Sequence, residues 1–131
     1  MRKHLAALLS AVCVLAAVTR VQAATETITG EVISLSCYFN DKTKIGHKGA
    51  TCALATVKWE GNPAGLLTAA GKVYQIAGGL TSNNNEKLWP ILGHTVTITG
   101  EVSQTVGMPT ITADTARDIA PPKEQLDRPA R

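Results

Sequence analysis

The hexapeptide Thr-Ile-Thr-Gly-Glu-Val occurs twice, at residues 27–32 and 97–102, and it constrains the fold more than any other feature of the chain. Thr, Ile and Val alternating at a period of two mark a half-buried β-strand. A glycine inside such a strand marks a bulge or a sharp bend. The first copy opens a strand over 27–35, and the second lies in 94–104, the longest alternating run of the chain. The flanks of the two copies do not match, so a duplicated domain is the weaker explanation. Two strands meeting similar demands at equivalent bends of a curled sheet is the simpler one, and two such strands help to close a small barrel.

Between the copies, residues 50–60 put Ala53, Leu54 and Val57 at helical spacing, and Gly61-Asn62-Pro63 stops the helix. A hairpin follows: 65–68, the turn Ala69-Ala70-Gly71, and 72–77, with Tyr74 and Ile76 on one side and Val73 and Gln75 on the other. Residues 82–85 offer caps for a turn or two of helix over 84–89. Gly107-Met108-Pro109 turns the chain into a last strand over 110–113. This order predicts a mainly β fold, a small five-stranded OB-like barrel with a helix-containing insertion after the first strand and a short helix before the fourth. A small open β-sandwich is the alternative. Trp59 and Trp89 are expected to cover the two ends of the barrel. Glu31 and Glu101, at equivalent places in the two hexapeptides, read as solvent-facing strand residues.

The first 23 residues have the pattern of a secretory signal peptide. Arg2, Lys3 and His4 form a basic start, an apolar run covers 5–18, and Val21-Gln22-Ala23 suits a signal peptidase. The run is too short for a spanning helix, and Val12 before Cys13 fits a lipidation site poorly. The division is therefore 1–23 signal peptide, 24–115 OB-like barrel domain, and 116–131 a disordered tail in which Pro121, Pro122 and Pro129 lie among charges. Removing the leader leaves ten basic against ten acidic residues, so the basic character of the whole chain belongs to the leader. A neutral domain with few aromatics lacks the electrostatic footprint of nucleic-acid binding. The expected place of the protein is periplasmic or secreted, with no membrane span after signal removal.

The candidate site is residues 37–52, Cys-Tyr-Phe-Asn-Asp-Lys-Thr-Lys-Ile-Gly-His-Lys-Gly-Ala-Thr-Cys. In an oxidising compartment Cys37 and Cys52 suit a disulfide that pins the insertion. The other reading joins them to His47: two thiolates and an imidazole suit copper or zinc, with His94 or Asp41 as a fourth ligand and Met108 as a thioether for copper. The two readings exclude each other at any moment, because a disulfide consumes the thiolates. Tyr38 and Trp59 are candidate ligand-stacking surfaces. The chain has no Gly-x-Ser-x-Gly, no Walker loop and no His-Glu-x-x-His. A Cys37/His47 nucleophilic pair is the weak remaining route to an enzyme.

The segments TITGEVISLSCY, Gly46-His47, Cys52-Ala53, GNPAGLL (61–67), Gly71-Lys72-Val73-Tyr74 and TVTITGEV resemble a family of small exported bacterial proteins with an OB-like barrel and no established activity. The resemblance covers nearly all of the mature domain and implies a fold and a compartment more than a function. Relatives often carry a further cysteine at the position of Thr56, and its absence here favours the disulfide over the metal set. The expectation is a non-enzymatic exported binding or accessory module whose partner is a small molecule, a metal or an envelope protein.

Overall fold

The computed structural model describes residues 23–104 and 107–124. The leader expected over 1–23, apart from Ala23, and the tail beyond Glu124 lie outside the described residues. Six strands form: β1 (Ala24–Ser34), β2 (Ala64–Leu67), β3 (Val73–Ala77), β4 (Thr95–Ser103), β5 (Thr110–Thr112) and β6 (Arg117–Ala120). β1 pairs antiparallel with both β2 and β4, β2 with β3, and β4 with β5, while β3 and β5 run parallel. The ring β1-β2-β3-β5-β4 therefore closes on itself, the five-stranded OB-like barrel that the strand order predicts. Its interior holds Val32, Leu66, Ile76, Val96, Ile98 and Ile111, each nearly or wholly buried. Val57, Leu80, Leu88 and Leu92 extend the same core from the helical segments. Among the described residues no helix is long and apolar enough to cross a membrane.

The repeated hexapeptide has a geometric explanation. The two copies pair with each other, and the match extends to residues 25–31 (TETITGE) and 95–101 (TVTITGE). Ile28 faces Ile98, Thr27 faces Thr99, Thr29 faces Thr97, Glu31 faces Thr95 and Thr25 faces Glu101. A local two-fold thus passes through the Ile28–Ile98 pair. The outward threonines join across the strands, Thr27 to Thr99 at 2.8 Å and Thr29 to Thr97 at 2.9 Å between hydroxyls. Each glycine admits a third strand. A Cβ on Gly30 would lie 2.6 Å from the Leu67 carbonyl oxygen of β2, and one on Gly100 would strike the Thr112 carbonyl of β5. Both strands meet the same demand, close approach of a neighbour's backbone, and only glycine satisfies it.

Four local expectations need correction. The first strand ends at Ser34, and Leu35–Asn40 is a helix, α1, because the Ser34 hydroxyl accepts the Cys37 N–H at 3.3 Å as an N-cap. The second helix, α2, begins earlier than the apolar spacing suggests, at Gly46–Ala53, and runs on as a π-helical turn over Leu54–Trp59. Before β4, Asn83, Asn84 and Asn85 have φ of 52°, 57° and 62°, a left-handed turn that asparagine tolerates, and the right-handed 3-10 helix starts only at Glu86. The fourth concerns residues 117–120, expected in a disordered tail. β5 covers the edge of β4 only at Glu101–Ser103, which leaves backbone groups at Thr95–Thr97 open, and β6 pairs with them from outside the ring. The His94 ring Nδ1, 3.0 Å from the Asp118 carboxylate, joins the two strands.

Candidate functional site

Cys37 and Cys52 form a disulfide with a Cα separation of 6.2 Å, tying α1 to α2. The link holds the insertion against the outside of the barrel. Leu35 lies on Gly65 of β2, where any Cβ would strike its side chain, and Ile33, Leu35 and Cys37 are buried between the helices and the sheet. The Cys37 sulfur lies 3.4 Å from the Thr56 hydroxyl, which also donates to Ser34 Oγ at 2.7 Å. The loop between the helices is tightened at Asp41, whose carboxylate accepts both the N–H and the hydroxyl of Thr43 at 2.9 and 2.7 Å. Those bonds, the hydroxyl's first, hold the Asp41 carboxyl below its usual range.

α2 has no side-chain cap of its own, since its N-cap residue is Ile45. Glu31 supplies one from the barrel: its Oε1 accepts the Gly46 N–H at 2.9 Å. A carboxylate at a helix N-terminus is favourably placed. Its other oxygen, Oε2, is shut off from solvent and has no hydrogen-bond partner. Burial raises the Glu31 pKa, against the opposing pull of the Gly46 N–H and the Lys123 ammonium. The segment after β6 comes back over the same place. The Lys123 carbonyl accepts the His47 N–H at 3.2 Å, and a Cβ on Gly46, whose φ is +59°, would collide with that carbonyl.

These elements enclose a cleft of about 380 Å³ on the outer face of the barrel. Thr29, Gly30 and Glu31 of β1 and Thr95 of β4 form its floor, Leu67, Thr68, Ala69 and Gly71 one wall, and Tyr38, Lys42, Ile45 and Lys123 the overhang. The Lys42 ammonium lies 4.3 Å from the Tyr38 ring centre and 4.1 Å from that of Phe39, a cation–π arrangement that keeps it at the rim. The volume falls in the range of small-molecule pockets, and the walls mix apolar side chains with a few polar groups.

Of the residues singled out in the sequence, Cys37 and Cys52 are brought together as a disulfide and Tyr38 lines the cleft. The metal set is not assembled. Both sulfurs are bonded to each other, the His47 side chain is exposed on the first turn of α2, His94 faces Asp118, and Asp41 faces Thr43. Among the described residues no group of three or more His, Cys, Asp or Glu is placed to hold a metal ion. Trp59 is absent from the cleft lining and is 74% exposed. Trp59 and Trp89 do not cover opposite ends of the barrel, because both rings flank the Lys58 ammonium at 5.0 Å. Sequence reasoning reads Glu31 as a solvent-facing strand residue, whereas it is half-buried beneath α2 with one oxygen shut off from solvent. Its signal was present: of the two equivalent glutamates, only Glu31 lies six residues before a cysteine.

No family model matches the chain, and none of the curated proteins or solved structures matches it either. The barrel agrees with the fold that the resemblance implies, and the site has to be read from its own geometry.

Proposed function

We propose that the chain is a non-enzymatic binding or accessory module of an exported protein, with the cleft between β1 and the disulfide-pinned insertion as its ligand site. The observation that carries this reading is the placement of Glu31. A carboxylate on an otherwise ordinary outward strand position is half-buried under a helix, with one oxygen shut off from solvent, and it lines the cleft. Buried, incompletely paired ionisable groups in clefts concentrate at functional sites. OB-like barrels use the outer face and the loop after the first strand for ligands, which is where this insertion sits. The disulfide supports a compartment outside the reducing cytoplasm, periplasmic or secreted.

The test is amide chemical-shift mapping of residues 24–131 with a library of small fragments. Binders that move the amides of Thr29, Gly30, Gly71 and Thr95 together, and lose that effect in Tyr38→Ala, are the expected result. Fragments that gather instead around Trp59 and Trp89 would move the site to the far surface and end this reading.

A further inference from the structure

Resting on that cleft as the ligand site, we propose that it selects a small organic anion with an apolar body. Lys42 and Lys123 meet the anionic group, and Tyr38, Ile45 and Leu67 meet the rest.

The argument begins with the sign of the overhang. Residues 42–48 carry Lys42, Lys44, Lys48 and His47 and no acid, and the returning segment adds Lys123. Two acids border them, Asp41 and Glu124, and the Asp41 carboxylate is already held by Thr43. Two of these ammonium groups, Lys42 and Lys123, are on residues that line the cleft from different parts of the chain. Among the described residues neither is held in an ion pair, the one ion pair being His94–Asp118. Lys123 is attracted to the Glu31 carboxylate and Lys42 rests on the Tyr38 and Phe39 rings, so two cationic residues stand against one carboxylate in the lining, and the net positive sign favours an anion.

Glu31 does not reverse this preference. Its Oε1 is occupied by the Gly46 N–H and its Oε2 is closed to solvent, so the carboxylate offers an incoming cation no free oxygen. A cationic ligand would meet the lysines first. A neutral ligand would find the hydroxyls of Thr29, Thr68 and Thr95 but would leave the net positive charge of the lining unanswered. The rest of the lining, with the Tyr38 ring, Ile45, Leu67 and Ala69, fits a hydrocarbon or aromatic body. The rings of Tyr38 and Phe39 hold Lys42 at the rim, where it can reach the ligand's charged end without filling the apolar part.

Three probes of one shape and different charge test this: 2-naphthoate, 2-naphthamide and the 2-naphthyl-trimethylammonium ion. Each is titrated into residues 24–131, with affinity read from calorimetry and location from the amides of Thr29, Gly30 and Gly71. The expected result is naphthoate binding at least about tenfold more tightly than the amide, with an affinity that falls as salt is added. Lys42→Gln with Lys123→Gln removes that advantage, bringing naphthoate to the affinity that naphthamide has on the same variant. Equal affinity for naphthoate and naphthamide at the cleft amides overturns the anion preference and keeps the cleft as the site. Tighter binding of the ammonium ion also overturns it. Failure of all three probes to move the cleft amides overturns both this inference and the function on which it rests.

Discussion

Residues 25–31 and 95–101 are one heptad used twice, differing only at its second position and related by a two-fold through Ile28 and Ile98. Their glutamates nevertheless have different surroundings. Glu101 is an exposed strand residue opposite Thr25 and Thr112. Glu31 is covered by α2, bonded to its first N–H, and left with one buried oxygen unpaired. The strands themselves do not make this difference, because each heptad bends at its glycine to admit a neighbour's carbonyl. What differs is the chain that follows. After Glu101 the strand ends at Ser103, whereas after Glu31 it runs to the Ser34 cap and into a helix pair closed by a disulfide. The barrel provides two equal positions, and the insertion covers one of them to form the candidate site.

The strongest way to break that contrast is to release the insertion. Replacing Cys37 and Cys52 together by alanine reopens a loop closed at a sequence separation of 15. The chain-entropy cost for such a loop is about 3 kcal/mol, read as a lowered urea midpoint. Amide exchange should quicken across Gly46–Ala53 while Thr97 and Thr99 in the second heptad stay protected. Equal quickening in both heptads would mean that the barrel itself depends on the bridge, and the division into scaffold and site would fail.

A smaller effect tests the symmetry of the scaffold. Gly30→Ala and Gly100→Ala each push a methyl group against a backbone carbonyl, of Leu67 and of Thr112 respectively. Backbone cannot rotate aside as a side chain can, so each substitution should cost about 1–3 kcal/mol, and the two costs should be similar. Thermal melts of the two variants decide it. Free tolerance of alanine at one position would show that the heptads recur for a reason other than close approach.

How much of this was legible beforehand follows from which interactions are local. The strands were readable because alternation, Gly-containing turns and the hairpin at 65–77 are properties of neighbouring residues. α1 was hidden because Ile33, Ser34 and Leu35 continue a strand pattern as well as they begin a helix. The Ser34 cap is decided by whether the chain turns there. β6 was hidden because its partner is an edge of β4 that opens only once β5 has departed towards β3. The Trp pair was misplaced because the π-helical turn ending at Trp59 brings Lys58 between two rings thirty residues apart. In the site, the cysteines and Tyr38 could be named from their stretch alone. Glu31 and Lys123 acquire their roles from an overhang that exists only in three dimensions.

The finest test follows Glu31 by pH. Burial raises the Glu31 pKa above its ordinary value of 4.5, so the folded chain holds that proton more tightly than the unfolded chain does. Glu31 therefore favours folding when protonated, and stability falls as pH rises from about 4.5 through the raised folded value, then levels off. Asp41 acts with the opposite sign: its lowered pKa gives stability that is lost as pH falls below its ordinary 3.8, outside this window. Glu31→Gln keeps an oxygen that can accept the Gly46 N–H and removes the ionisation. Its melting temperature should lose the decline above pH 4.5 and match or exceed the unsubstituted protein at pH 7. If Glu31→Gln is less stable at every pH, the negative charge at the start of α2 outweighs the cost of its burial. Glu31 would then be a helix cap first, and the difference between the two heptads would be one of architecture more than of binding.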